Sequence, residues 1–344
     1  EIVETIQKNI KNGWLFSYQT YLEKELSNII HNIIPSAERV RFATTGSDAV
    51  AYSIRVSKAY TGREKVLSII GGYHGVHEGM IPSAGTSNSL CLDLIPFNNV
   101  RIVKEKLKNK DYACFLLEPI LANSGCTPPQ KNYLKEIRKI CNETNTVLIF
   151  DEIVMGFRIS INGAQGFYGV TPDLSLFSKA IAGGLPLSVV CGKKKIMENF
   201  IPNGDVFFAG TFNASPLSLS VSKTIINKLQ NGSLYLKNEE LGNDLRKYIT
   251  EQINNLKLPA CVQGISSMLT IAFGCYDFKR GIKLESCDDR AYCFFIEEMA
   301  KRRILLPPLP TETIFLSPVH ERVLDDIKTA IKQSLEAVKN EYYK

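Results

Sequence analysis

The feature that most constrains the fold is an apolar run that stops on two adjacent carboxylates. Residues 147–150 read Val-Leu-Ile-Phe, and Asp151 and Glu152 follow directly. A short apolar run that contains β-branched residues is typical of a strand buried on both faces of a parallel sheet. A carboxylate buried at the end of such a strand must be compensated by a cation or by hydrogen bonds. Because ligands of open α/β sheets bind at this end of the strands, we predict that Asp151 faces a cationic ring nitrogen of a cofactor.

Strands and helices alternate from residue 40 to residue 155, which predicts a largely parallel sheet. We predict an α/β fold with two domains. A large domain over residues 1–225 carries helices on both faces of a mostly parallel sheet, and a smaller α+β domain covers residues 226–344. Periodicity and helix breakers predict strands at 40–43, 66–70, 114–117, 147–150, 172–177, 187–191, 268–273 and 304–306. The same signals predict helices at 1–10, 21–33, 49–60, 132–142, 214–230, 290–302 and 322–340.

Composition restricts the class of protein and its partners. The chain has 344 residues, a hydrophobic content of 44% and a net charge of +6, with basic residues spread along it. The tightest basic cluster, residues 193–195, is typical of a solvated turn, so no nucleic-acid partner is predicted. Nine cysteines without a Cys-x-x-Cys pair favour free thiols in a reducing cytoplasm. No apolar run approaches the length of a membrane span, so no membrane partner is predicted, and we expect further residues upstream of Glu1.

Residues 45–48, Thr-Gly-Ser-Asp, lie between a predicted strand and a predicted helix. Backbone N–H groups and the helix dipole at such a junction form an anion site, to which the hydroxyls add donors. The same residue types are also the ones that cap a helix, and an ordinary cap explains the four residues equally well. Both interpretations stay open from this motif alone.

Residues 72–75, Gly-Tyr-His-Gly, place an aromatic side chain at another strand end. Tyr73 is a candidate stacking partner for a flat cofactor ring, although a half-buried tyrosine on a turn is common. His74 and His77 are three residues apart, but no further histidine or cysteine lies near them, so we predict no metal site.

Lys179 follows an apolar stretch and precedes Ala180-Ile181-Ala182. A lysine in this position usually reaches solvent with its amine, but it can also act as a Schiff-base nucleophile. The combination with Asp151 favours the second interpretation. Pyridoxal phosphate needs a lysine, an acidic partner for the pyridinium nitrogen, an anion site for the phosphate and a flat partner for the ring. Each of these has a candidate at a strand end of the same predicted sheet.

Several long motifs in the same order resemble those of the class III aminotransferases, pyridoxal-phosphate enzymes of fold type I. Within that family, the sequences of these motifs are most similar to those of the glutamate-1-semialdehyde 2,1-aminomutase branch. The motifs lie at residues 41–49, 59–63, 72–75, 117–119, 150–158, 163–174, 178–186 and 209–217. The resemblance is strong over residues 1–225 and weaker beyond them.

The resemblance implies the cofactor pyridoxal 5'-phosphate and a homodimer with its active sites at the interface. It implies that Lys179 binds the cofactor covalently and moves protons as a general acid and base, while Asp151 keeps the pyridine nitrogen protonated. Tyr73 and Ile153 are implied on the two faces of the ring. The other implied cofactor-binding residues are Gly46 and Ser47 on the phosphate of their own subunit, Thr211 on the phosphate of the partner subunit, and His74, Glu118 and Asn123 near the ring.

The resemblance leaves the reaction open. An aminotransferase that acts on an amino donor and a carbonyl substrate is favoured by the segment between His74 and Pro96, which is shorter than the mobile loop of the aminomutase branch. Intramolecular transfer on glutamate 1-semialdehyde is favoured by Glu312, which matches a glutamate near the substrate site of that branch. Racemase or decarboxylase chemistry and a non-catalytic relative are further alternatives. Lys179 and Asp151 argue against the non-catalytic relative.

Overall fold

The computed structural model describes residues 1–77, 91–274 and 287–344, and these residues form two compact units. The first unit comprises Glu1–Pro119 and Lys131–Gly232, and the second comprises Ile120–Gln130 and Ser233–Lys344. This division differs from the predicted boundary at residue 225 in two respects. Residues 226–232 belong to the first unit, and residues 120–130 belong to the second.

A seven-stranded sheet forms the centre of the first unit. Its strands are β1 (Arg39–Ala43), β2 (Lys65–Ile69), β3 (Leu92–Ile95), β4 (Tyr112–Leu117), β5 (Val147–Asp151), β6 (Leu174–Phe177) and β7 (Ser188–Gly192). The strands run in the order β1-β7-β6-β5-β4-β2-β3, and only β7 is antiparallel to its neighbours. The predicted, mostly parallel sheet is confirmed. The run 147–150 is the strand in its middle, and all five residues of β5 are buried.

Helices cover both faces of this sheet, as the alternation predicts. The first unit contains α1 (Ile2–Asn9), α2 (Tyr21–Ile33), α3 (Gly46–Thr61), α4 (Val100–Leu107), α5 (Tyr133–Thr144), α6 (Gly163–Tyr168), α7 (Lys194–Met197) and α8 (Pro216–Leu229). Leu176 and Val190 pack in one core cluster with residues of α3. Phe177 and Val189, the next positions of the same strands, pack in another cluster with residues of α2 and α8. Successive strand residues therefore face different helical layers.

Within its described residues, the second unit combines three α-helices with a small antiparallel sheet. Its helices are α9 (Ser233–Leu256), α10 (Asp289–Lys301) and α11 (Leu324–Tyr342), and its strands are β8 (Ala260–Ile265), β9 (Met268–Phe273) and β10 (Ile314–Phe315). The strand order is β10-β9-β8. The strand predicted at 304–306 is wrong, because these residues form neither a helix nor a strand and Leu305 is 87% exposed. Across the described part of the chain, no helix is both long and apolar enough to cross a membrane.

Long-range hydrogen bonds tie the segment 120–130 to the second unit. The amide of Gly125 donates to the carbonyl of Thr311 at 2.8 Å. The side chain of Gln263 donates to the carbonyl of Gly125 at 2.5 Å and to the hydroxyl of Thr127 at 2.9 Å. Hydrophobic periodicity contains no signal for contacts between distant residues. For this reason the prediction from sequence placed residues 120–130 in the large domain.

Glu152 is fully buried beneath the strand end and is directed away from Asp151 by strand alternation. Its carboxylate accepts hydrogen bonds from the backbone N–H of Ala164 and from the side chain of Gln165. Burial raises the pKa of Glu152 to about 7, although these hydrogen bonds oppose the shift. The side chain of Gln165 also donates to the hydroxyl of Ser175. Glu152 therefore connects the segment after β5 to α6 and β6 through buried hydrogen bonds.

We predict that the stability of the protein falls as pH rises through the pKa of Glu152. The folded state binds this proton more tightly than the unfolded state, so the stabilisation is complete below the ordinary glutamate pKa of 4.5 and is lost by about pH 7. A shift of this size corresponds to roughly 3 kcal/mol. The measurement is the unfolding temperature of wild type and Glu152→Gln from about pH 5 to about pH 8. If the two proteins show parallel pH profiles, Glu152 is not the group responsible.

Candidate active site

The carboxyl edge of the central strands opens into a cavity of about 400 Å³ in the first unit. Its walls include the candidate nucleophile, the candidate counter-charge and both candidate ring-stacking residues. Six of the residues predicted from sequence line it: Gly46, Ser47, Tyr73, Asp151, Ile153 and Lys179. The neighbouring order of β5 and β6 brings Asp151 and Lys179 together, since each stands at the carboxyl end of its strand.

Asp151 is the last residue of β5 and is 2% exposed. One carboxylate oxygen accepts a hydrogen bond from Nδ1 of His74 at 2.7 Å, and the other accepts one from the backbone N–H of Ile153 at 3.1 Å. Because a carboxylate only accepts, Nδ1 of His74 carries the proton. The other ring nitrogen of His74 is buried and has no hydrogen-bond partner among the residues that the structure describes. His74 therefore stands behind Asp151 and not on the cavity wall, which differs from its predicted place beside the cofactor.

Lys179 begins the single helical turn Lys179–Ala182 that follows β6. Its φ of +42° is uncommon for a residue with a side chain, and such conformations persist only where the surrounding structure enforces them. Its side chain is exposed to the open cavity. This arrangement presents the amine to a bound molecule.

The motif 45–48 serves as a helix cap and as a wall of the cavity. Thr45 and Asp48 form a reciprocal capping box, so the cap interpretation is confirmed for these two residues. Gly46 and Ser47 are the first residues of α3 and line the cavity. A Cβ on Gly46 would lie 2.8 Å from Cδ1 of Ile153, so the present close packing of Ile153 against the start of α3 depends on the glycine. The helix N-terminus can therefore present N–H groups to an anion, as the second interpretation of the motif requires.

A neighbouring turn packs directly against this helix N-terminus. Gly75 has a φ of +86°, and a Cβ at this position would lie 2.3 Å from the hydroxyl oxygen of Ser47. That hydroxyl accepts a hydrogen bond from the backbone N–H of Val76 at 3.1 Å. The sequence reasoning did not assign Gly75 a place in the site. The available signal was a second glycine after the aromatic residue of the motif 72–75.

Tyr73 and Glu118 are connected by a backbone contact. Tyr73 is 52% exposed on the cavity side, and its backbone N–H donates to the carboxylate of Glu118 at 3.1 Å. Glu118 follows β4, is 1% exposed and does not line the cavity. It therefore holds the turn that carries Tyr73, whereas the sequence predicted that it lines the site.

Three predicted site residues lie elsewhere. Thr211 is exposed and lines a separate cavity of about 650 Å³ in the first unit. Asn123 and Glu312 belong to the second unit. The predicted short loop between His74 and Pro96 falls mainly on residues 78–90, which lie outside the described residues. Among the residues that are described, no group of three or more His, Cys, Asp or Glu side chains could hold a metal ion.

The residues of the 400 Å³ cavity fit the cofactor that the resemblance implies. They supply an amine, a buried carboxylate, a helix N-terminus with a hydroxyl, an aromatic face and an aliphatic face. A phosphate suits the helix N-terminus, a cationic ring nitrogen suits Asp151, and a flat ring suits the space next to Tyr73 and Ile153.

Comparisons with known proteins agree with this chemistry. The family model described as aminotransferase class-III matches residues 1–279. A glutamate-1-semialdehyde 2,1-aminomutase of Methanothrix thermoacetophila is 35% identical over 98% of this chain and 81% of that protein. The protein of the same name from Saccharolobus islandicus is 36% identical over 95% of this chain and 78% of its own length.

Solved structures show the same fold. An omega-transaminase from Sphaerobacter thermophilus superposes with a TM-score of 0.91 at 25% identity, covering 98% of this chain and 83% of that structure. A glutamate-1-semialdehyde aminomutase from Pseudomonas aeruginosa superposes with a TM-score of 0.88 at 20% identity, covering 98% and 80%. The chain therefore belongs to the class-III aminotransferase family, the pyridoxal-phosphate-dependent enzymes that its sequence motifs resemble.

Proposed function

We propose that Lys179 and Asp151 are the catalytic residues of an aminotransferase that moves an amino group to an aldehyde or keto carbon of a small metabolite. The observation that carries this proposal is that both residues line one cavity, in which Asp151 is buried and hydrogen-bonded by His74. Pyridoxal phosphate, when bound, supplies an electron sink for the substrate carbon. The remaining chemistry depends on where the side chains of this chain hold protons and orient the reacting atoms.

Each side chain of the cavity receives a distinct task. The amine of Lys179 binds the cofactor and afterwards moves the proton at the substrate carbon as a general acid and base. The carboxylate of Asp151 keeps the ring nitrogen protonated, because a buried negative charge favours the cationic form of its partner. Tyr73 and Ile153 confine the ring from its two faces. The N–H groups and hydroxyl at Gly46 and Ser47 bind the phosphate.

We further propose a homodimer in which Thr211 contacts the cofactor phosphate of the partner subunit. Thr211 lines a cavity that shares no residue with the one containing Lys179. Large apolar side chains surround this region and are exposed in a single chain: Trp14, Phe16, Tyr18, Phe207 and Phe212. A second copy would remove this apolar surface from water. We also propose a cytoplasmic location, which fits the nine scattered cysteines without a Cys-x-x-Cys pair.

Two reactions fit the same cavity. Transfer between two substrates is the general reaction of the family. Intramolecular transfer on glutamate 1-semialdehyde is favoured by the relatives at 34% to 36% identity, which carry that name. In both reactions we propose that Asn123 is a cofactor-binding residue and that Glu312 binds the substrate, and that small-molecule substrates are the partners. Of the two reactions, the sequence identities to these relatives support the intramolecular reaction better.

The first prediction from the proposed function concerns Lys179. Borohydride reduction of the wild type loaded with pyridoxal phosphate should remove the visible absorption band and leave a label on the peptide that contains Lys179. Lys179→Ala should lack the label and lose at least about 10³-fold in activity, because it loses both the covalent attachment and the proton carrier. Lys194→Ala is the matched control, since Lys194 is an exposed lysine of the same unit and should leave both readouts unchanged. If the wild type acquires no label at all, the proposed function fails.

The second prediction separates the two reactions. Enzyme loaded with the pyridoxamine form of the cofactor receives glutamate 1-semialdehyde as the only substrate, and 5-aminolevulinate is measured. An aminomutase forms product over many turnovers without any other amino donor or acceptor. If product appears only after an amino donor is added, the intramolecular reaction is excluded and transfer between two substrates stands.

The third prediction concerns His74. His74→Asn retains a side-chain N–H near the position of Nδ1, whereas His74→Gln does not, so the two variants differ in the hydrogen bond to Asp151. Loss of this hydrogen bond leaves a buried carboxylate underpaired, and we expect cofactor affinity to fall about tenfold in His74→Gln. His74→Asn should stay within roughly twofold of wild type. Equal losses in both variants would mean that His74 acts through packing and not through Asp151. Cofactor affinity is measured by titrating the apoenzyme.

A further inference from the structure

Helix α3 lines one cavity with its first residues and contacts a loop that lines another cavity. Its N-terminus carries Gly46 and Ser47, which line the 400 Å³ cavity. One to three turns further along, the same helix contacts the loop 207–213, which contains Thr211 and lines the 650 Å³ cavity. The proposed function above assigns no role to these contacts between α3 and the loop 207–213.

Tyr52 makes the closest of these contacts. Its hydroxyl donates to the carbonyl of Ala209 at 2.5 Å, two residues before Thr211. Its ring stacks on Phe208, with ring centroids 4.0 Å apart and an interplanar angle of 26°. A single side chain thus binds the loop by a hydrogen bond and by ring stacking, two contacts that together fix its position and direction.

Further contacts hold the loop on either side of Tyr52. The guanidinium of Arg55 donates to the carbonyl of Phe207 at 3.4 Å and lies 5.6 Å from the ring of Tyr52. The hydroxyl of Thr44 donates to the side-chain oxygen of Asn213 at 3.0 Å. Thr211 lies between these anchors, and its own side chain is exposed.

We propose that Tyr52 is a positioning residue that acts across the dimer: it fixes the loop that presents Thr211 to the cofactor phosphate of the partner subunit. This inference rests on the proposed function and goes beyond it, because it assigns to a helix residue of one subunit an effect on cofactor binding in the other. The hydroxyl of Tyr52 is responsible for this effect, because its hydrogen bond to the carbonyl of Ala209 fixes the backbone position of the loop two residues before Thr211.

Mixed dimers test the direction of the effect. Only a subunit that retains Lys179 receives the borohydride label, so one Lys179→Ala subunit restricts the readout to the other subunit. In the first dimer, Tyr52→Phe is placed in the Lys179→Ala subunit. In the second dimer, it is placed in the subunit that retains Lys179. Two different affinity tags isolate each mixed dimer, and the apoenzyme is titrated with pyridoxal phosphate before reduction.

The expected result is an increase of about three- to tenfold in the half-saturating cofactor concentration of the first dimer, as for the loss of one hydrogen bond. The second dimer should match a mixed dimer without Tyr52→Phe. Tyr292→Phe is the control in both arrangements, because the hydroxyl of Tyr292 donates to the carbonyl of Pro307 in the second unit and should affect neither dimer.

Each other outcome overturns the inference. An effect in the second dimer alone shows that Tyr52 acts through α3 on the site of its own subunit. Equal effects in both dimers show a general structural role, and no effect in either shows that the hydroxyl does not position Thr211. Absence of label in the wild-type dimer contradicts the proposed function instead, so the two failures are distinguishable.

Discussion

The site depends on how the fold compensates one buried carboxylate. Asp151 lies at the end of the middle strand of the sheet and receives hydrogen bonds from His74 and from the backbone N–H of Ile153. These two donors occupy different carboxylate oxygens and thereby fix the rotation of the group. A fixed carboxylate can face a cationic nitrogen without the reorganisation that a mobile one would need. The parallel neighbours β4 and β6 end beside it and deliver Glu118 and Lys179 to the same edge.

Close backbone packing complements this electrostatic arrangement. Gly46 permits Ile153 to lie against the start of α3, and Gly75 permits a turn to lie against Ser47. A Cβ at Gly75 would meet the backbone and the hydroxyl of Ser47, whereas a Cβ at Gly46 would displace the side chain of Ile153. The residues proposed to bind the phosphate and those proposed to contact the ring therefore pack against one another.

The sequence predicted those parts of the molecule that have a local signal. Short apolar runs identified six of the seven strands of the large sheet, helical periodicity identified most helices, and the carboxylate after an apolar run identified Asp151. Strand β3 was not predicted. Residue type in context identified Lys179, Gly46 and Ser47. The contact between His74 and Asp151 joins positions 77 residues apart and has no local signal. The run 304–306 has the composition of a strand, but Arg303 has a φ of +64° and Leu305 is exposed, so composition was misleading there. The placement of Glu118 behind Tyr73 depends on side-chain direction, which periodicity does not contain.

Most residues proposed for the cofactor and the residue proposed for the substrate, Glu312, lie in different units of the chain. The amine, the carboxylate, the ring-stacking residues and the helix N-terminus all belong to the first unit, whereas Asn123 and Glu312 belong to the second. The segment that carries Asn123 is bound to the second unit through Thr311, the residue next to Glu312. Under the proposed roles, a substitution of Glu312 changes substrate selection while Asp151, Lys179 and their supporting contacts stay the same. Such a separation lets one cofactor site serve several reactions, since function depends on the residues placed on a fold and not on the fold itself.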